Sequence, residues 1–277
     1  MTESGFKREI KLFDAIMIVA GTMIGSGIFI VSSDIARNVG SSGYLLLIWV
    51  VTGFITIAGA LSYGELAGMF PKAGGQYVYL KEAYNKLIAF LYGWSFFSVI
   101  QTGTIAAVGV GFSKFAAYLI PSLSDENIIL DLGSFKLNAA QSVSIVTIVL
   151  LTYVNSRGVK NSKTLQTVLT VIKILSLFGL IIFGFLLAAK AEVWNSNWSD
   201  AWNTRSFNVE TGSWLPIGGT ALLTGISAAM VGSLFSSDAW NGVTFIAGEI
   251  KNPKRNVGLS LFLGTFIVTV IYVLTNL

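Results

Sequence analysis

GTMIGSGIF, residues 21–29, sits inside an apolar run from about Leu12 to Ala36, and its reading decides the fold. The run is long enough to cross a bilayer core of about 30 Å, yet Gly21, Gly25 and Gly27 weaken it as one continuous helix. Backbone released at mid-membrane is tolerated only where it is buried in protein or lines a cavity. There the bare N–H groups at the positive end of a half-helix suit a carboxylate. A span built to break is the form in which transporters make a ligand site. Two other readings compete. Gly21 and Gly25 also have the spacing of a GxxxG helix-packing face. A dinucleotide-binding loop is the weakest, because no strand precedes the glycines.

Composition supports a membrane protein. The chain is 53% hydrophobic and 12% charged, with a mean hydropathy of +0.72, well outside the range of soluble domains. It contains no cysteine and no histidine, which removes disulfides, thiolate metal sites, the commonest metal ligand and the usual general base. An enzyme, a cofactor or a metal is therefore not expected. The net charge of +4 comes from the placement of the basic residues rather than from a nucleic-acid partner.

Seven apolar segments fall at about 12–37, 44–68, 87–118, 139–155, 164–189, 215–250 and 257–277. With the N-terminus inside, the inner connections carry Lys7, Arg8, Lys11, Lys72, Lys81, Lys86, Arg157, Lys160, Lys163, Lys251, Lys254 and Arg255, twelve of the eighteen Lys plus Arg. The outer connections carry Arg37, Lys136, Lys190 and Arg205. The positive-inside rule then sets the N-terminus in the cytoplasm of a multi-pass protein of the plasma or inner cell membrane. The first apolar run is too long for a cleavable signal. The third and sixth segments exceed the bilayer thickness and must tilt, break or extend past it. In the sixth, LFSSDAWNG at 234–242 interrupts the apolar pattern after about half a span. Two broken helices five spans apart enter from opposite sides, the mark of an inverted five-helix repeat.

Several stretches together resemble a known family. GTMIGSGIF, SYGELAG at 62–68, PKAGGQYVYLKEAY at 71–84, WNGVTFIAGEIKNPKRN at 240–256 and VIYVLTNL at 270–277 are similar to the amino acid–polyamine–organocation (APC) superfamily and, within it, the L-type amino acid transporter (LAT) family. The resemblance implies an all-α membrane protein with the inverted five-helix repeat transporter fold, broken at helices 1 and 6. This chain matches the first seven helices: a single transmembrane domain, with a first repeat at about 12–189 and the start of a second at about 215–277.

The resemblance also implies a site. Thr22, Met23, Ile24, Gly25, Ser26 and Gly27 match the unwound part of the first helix, where backbone amides and a hydroxyl receive an amino acid's α-carboxylate. Phe235, Ser236, Asp238 and Asn241 match the unwound part of the sixth, whose carbonyls take the α-ammonium while the aromatic closes over the substrate. Lys173, about ten residues and thus about 15 Å into the fifth span, matches a lysine beside the first break that stands in for a coupling cation. Snorkelling and an ion pair with Asp238 are its alternatives. An ionised Asp238 inside a membrane is functional by default, and it departs from the small residue common in neutral carriers.

The reading that follows is an alternating-access transporter, a sodium-independent exchanger of neutral L-amino acids. A cationic exchanger selecting lysine or ornithine is the alternative, and a non-transporting ligand-binding or regulatory subunit is the alternative of another class. A channel has no charged ring or filter motif behind it. The partners expected are a small amino acid and the lipid bilayer. A disulfide-linked heavy chain is not expected, because Leu119 to Asn138 contains no cysteine.

Overall fold

The computed structural model describes residues 7–133, 136–157, 159–188 and 190–277. The chain opens with α1, Leu12–Met23, whose Asp14 carboxylate accepts from the Lys11 N–H at 2.9 Å and sits at the positive end of the helix. Ile24 turns to an extended conformation, and α2, Gly27–Val39, leaves at 44° to α1. Gly40 ends α2 with φ +52, a left-handed cap that glycine adopts without steric cost. The Ser41 hydroxyl then caps α3, Ser42–Met69, by accepting from Tyr44.

Next come α4, Gln76–Ala83; α5, Lys86–Ser95; a π-helical turn, Phe96–Gln101; and α6, Thr102–Leu119, so that Lys86–Leu119 forms one span of 34 residues. Strands β1, Ile128–Asp131, and β2, Lys136–Asn138, pair antiparallel before α7, Ala139–Ser156, and α8, Val159–Phe183. A π-helical turn, Gly184–Ala188, continues α8, and α9 follows at Ala191–Ser199. The hairpin of β3, Arg205–Asn208, and β4, Ser213–Pro216, leads into α10, Gly219–Ser236. Two 3-10 turns, Trp240–Thr244 and Ala247–Glu249, precede α11, Pro253–Thr275, whose proline occupies a first-turn position that needs no N–H donor.

Among the described residues six helices are long and apolar enough to cross a membrane, and the bent pair α1–α2 makes a seventh. This agrees with the seven segments expected from the sequence and with an all-α membrane fold. The third span resolves its excess length as a 34-residue helix carrying a π turn, and the sixth by ending its α-helix at Ser236. The expected repeat boundary at 189 lies outside the described residues.

The described residues up to 76 together with those of 166–277 form one compact unit, and those of 77–165 another. In the first, small residues set the helix approaches, as packing in lipid requires where no hydrophobic drive pulls helices together. Gly64 of α3 meets the backbone of Gly258 on α11, Gly264 of α11 faces Val19 of α1, and Gly232 of α10 faces Val31 of α2. Thr52 and Ser233 share a buried hydrogen bond of 2.7 Å between α3 and α10. In the second unit, Gly109 of α6 lies against Ser144 of α7.

Candidate functional site

The two interruptions meet in the first unit. Only Ile24, Gly25 and Ser26 lie outside helix at the first; Thr22 and Met23 remain in the last turn of α1, and Gly27 opens α2. This narrows the six-residue stretch expected to be unwound. Ser26 gives no side-chain cap to α2, and the Phe29 N–H turns back to the Ser26 carbonyl at 3.2 Å. Among the described residues nothing accepts the Ser26 N–H. The start of a 13-residue helix is thus left uncapped, with its dipole directed at the gap.

The three glycines divide their work. A side chain on Gly21 would run into Thr170 and Gln166 of α8, the nearest Gln166 atom standing 2.7 Å away. Gly21 is therefore a helix-packing glycine. A methyl on Gly27 would stand 2.9 Å from Cβ and 3.2 Å from Cα of Ser236, so Gly27 lets the two breaks close on each other. Nothing lies within 4 Å of a methyl on Gly25, and Gly25 and Ser26 are both exposed. The packing-face reading thus holds for Gly21 and fails for Gly25.

Lys173 reaches from α8 to the other polarity of the same break. Its ammonium donates to the Gly21 carbonyl at 3.1 Å and the Ile24 carbonyl at 2.8 Å. These are carbonyls of the C-terminal turn of α1, where the helix dipole favours a cation. Among the described residues it makes no ion pair with Asp238, which is exposed and accepts no side-chain bond. The ammonium serves backbone instead.

At the second interruption α10 ends at Ser236, and Ala239 takes φ +66, a left-handed conformation that costs a non-glycine residue roughly 1–2 kcal/mol. Such strain persists only where the surroundings hold it. Here the Thr22 hydroxyl lies 3.1 Å from the Ala239 carbonyl, but its one proton is shared with the Ile18 and Val19 carbonyls of its own helix at 2.9 and 3.0 Å. The half-helix expected beyond the break is replaced by the two 3-10 turns. Trp240 packs edge to face on Tyr63 at 5.1 Å, which assigns it to the α3 contact. Phe235 is 63% exposed. Ser236 is 6% exposed, with no partner for its hydroxyl oxygen among the described residues, a buried polar group aimed at Gly27. Asn241 lies in the first 3-10 turn and its carbonyl accepts from Thr244.

The sequence reading missed Tyr272 of α11. Its hydroxyl lies 3.0 Å from the Met23 carbonyl and 3.2 Å from the Ser236 carbonyl. A tyrosine in the otherwise apolar run VIYVL was the available signal.

A family model described as amino acid permease matches residues 10–277. The chain is 31% identical over 275 residues to the b(0,+)-type amino acid transporter 1 of Oryctolagus cuniculus, covering 99% of this chain and 51% of that protein. It is 33% identical over 271 residues to the large neutral amino acids transporter small subunit 2 of Homo sapiens, covering 98% and 46%. Against the Asc-type amino acid transporter 1 of Mus musculus the identity is 28% over 271 residues, with 98% and 47% covered. The chain spans about half the length of these relatives.

Proposed function

This chain belongs to the amino acid permease family of the APC superfamily, and we propose that it carries amino acids across the cell membrane by alternating access, as a sodium-independent exchanger of neutral L-amino acids. One observation carries the reading: at the α1–α2 break a fixed ammonium occupies the carbonyls while the opposed Ser26 N–H has no acceptor among the described residues. An ammonium on the Gly21 and Ile24 carbonyls supports the reading that Lys173 replaces a coupling cation, in which case no ion need enter with the substrate. Gly25 leaves room beside it, and the N–H groups of Ser26 and Gly27 donate to the α-carboxylate through charge-assisted hydrogen bonds of about 1.5–3 kcal/mol each.

Binding in turn orders the site. The α-ammonium meets the carbonyls freed near Ser236 and Asp238, where α10 has ended and no helical N–H follows. Phe235, exposed beside this break, closes over the substrate from outside. The substrate moves the equilibrium only through its different affinity for the outward and inward states. The excess of Lys and Arg on the inner connections supports a cytoplasmic N-terminus. The human relative named for large neutral amino acids favours neutral substrates.

A second reading rests on Asp238. Its exposed carboxylate, with no partner among the described residues, suits the side-chain ammonium of lysine or ornithine. The experiment is counterflow of radiolabelled leucine in proteoliposomes, with leucine, lysine or nothing inside. Acceleration by internal leucine, equal in sodium and choline buffers, is expected. A steep sodium requirement, or acceleration by lysine alone, would overturn the assignment.

A further inference from the structure

A polar cavity of about 340 Å³ lies at the start of α3, within the range of about 300–1,000 Å³ typical of small-molecule sites. The chain between α9 and β4 closes it. The Ala201 carbonyl accepts from the Ser41 hydroxyl at 2.5 Å and from the Gly43 N–H at 2.8 Å, which ties that chain to the first turn of α3. Gly40, at its left-handed cap, permits the approach: a methyl there would stand 2.9 Å from both Arg205 Cβ and the Trp214 ring. Two polarities line the cavity. The 28-residue α3 presents its positive end, where the Ser42 N–H and hydroxyl have no partner among the described residues, and Arg205 adds a guanidinium. The last turn of α9, with Ser196 and Asn197, presents a negative helix end, and Asp200 adds a carboxylate. Asp200 accepts from Arg205 at 3.0 Å and also from Asn203, while a guanidinium carries five N–H groups, so most of those on Arg205 stay open. The two charged side chains are 48% and 42% exposed, and an exposed pair of this kind holds only weakly.

The geometry points to a second binding site in this cavity, for a free zwitterionic amino acid: the Arg205 guanidinium and the Ser42 N–H take its carboxylate, and the Asp200 carboxylate and the end of α9 take its ammonium. A plain anion would meet the charge of Asp200, and a plain cation that of Arg205. Each is opposed by half of the lining. A zwitterion satisfies both halves and inserts into a weak exposed pair, so little is lost in parting it. Leu45 and Trp214 give its side chain an apolar wall. The 13 residues of α2, about 20 Å of helix, separate this cavity from Gly27, so one molecule does not fill both places. The inference goes beyond the transport reading and does not depend on the first break. With the cytoplasmic N-terminus proposed above, the cavity faces outward and holds an amino acid ahead of entry.

The test counts radiolabelled leucine bound to the purified full chain by equilibrium dialysis, beside a thermal melt, in wild type, Arg205→Lys, Gly25→Ala and the double variant. Arg205→Lys keeps a charge opposite Asp200 but loses the planar fork that grips a carboxylate, so the fold should hold. A second leucine is expected on wild type, retained by Gly25→Ala and bound about tenfold or more weakly by Arg205→Lys, as loss of a charge-assisted bond predicts. The double variant should bind neither. A single leucine on wild type, or a second one indifferent to both Arg205→Lys and Arg205→Gln, would overturn the proposal. So would a lower melting temperature in Arg205→Lys with leucine binding unaltered, which would make the pair a staple of the hairpin only. On Gly25→Ala, leucinamide, which lacks the carboxylate, and 4-methylpentanoate, which lacks the ammonium, should both fail to displace leucine; displacement by one of them would mean a plain cation or anion site and is equally fatal. Binding lost in Gly25→Ala alone removes this inference and leaves the first break standing, whereas binding lost in Arg205→Lys alone removes the reading of the first break and leaves this site.

Discussion

Gly25→Ala and Gly27→Ala, two residues apart, are expected to fail in opposite ways. At Gly25 a methyl enters open space, with no atom within 4 Å and no positive φ to resist it. Replacing glycine in a compatible conformation stabilises by about 0.4–1 kcal/mol through the unfolded chain, so folding should be unharmed. The methyl would stand, however, where the substrate carboxylate approaches the Ser26 N–H, and a lost pair of charge-assisted bonds of about 1.5–3 kcal/mol each predicts at least a hundredfold weaker binding. At Gly27 the methyl stands 2.9 Å from Ser236 Cβ and 3.2 Å from its Cα, and backbone cannot step aside as a flexible side chain can. Overpacking of this kind costs about 1–3 kcal/mol, so the variant should melt lower and lose binding only as a consequence. The assay pairs a detergent thermal melt with scintillation-proximity binding of leucine. Near-normal binding by Gly25→Ala, or destabilisation by it equal to that of Gly27→Ala, would refute the division of labour.

Lys173→Ala deprives the Gly21 and Ile24 carbonyls of their cation; exchange in proteoliposomes should slow more than equilibrium binding weakens, and an unchanged exchange rate would contradict this. Asp238→Asn separates two roles: loss of lysine binding alone would mean side-chain selection, whereas equal losses for leucine, alanine and lysine would mean service to the α-ammonium, the outcome expected for a neutral exchanger. Desolvation raises the carboxyl pKa of Glu249 above 4.5, so the folded state holds its proton more tightly than the unfolded chain. Stability from this group is then complete below that pH and is lost as pH rises through the folded value; Glu249→Gln should flatten the fall in melting temperature that begins above pH 4.5, and an unchanged profile would contradict the burial argument.

The seven spans and the place of both breaks were legible because they rest on composition and on local backbone chemistry. Glycine crowding between 21 and 27, and SSDAWNG in an apolar run, disfavour helix wherever the rest of the chain lies. The assignment of the three glycines was not legible, since it depends on partners far away in sequence: Thr170 for Gly21, Ser236 for Gly27 and open space for Gly25. The same holds for Lys173, whose depth could be counted but whose two carbonyl partners lie 152 and 149 residues earlier. Beyond Ser236 the sequence suggested a second half-helix. Ala239 in a left-handed conformation and Trp240 drawn onto Tyr63 favour tight 3-10 turns instead, a tertiary choice that propensity does not record. The two short hairpins went unseen because their strands have three or four residues, too few for a periodic signal.

The central claim is that the gap at Gly25 and Ser26 receives a carboxylate, and the structure of the protein with leucine bound tests it most directly. The account predicts carboxylate oxygens at about 2.7–2.9 Å from the N–H groups at Ser26 and Gly27, with Lys173 still on the Gly21 and Ile24 carbonyls. A leucine carboxylate seated on the Lys173 ammonium, with the start of α2 left empty, would contradict it.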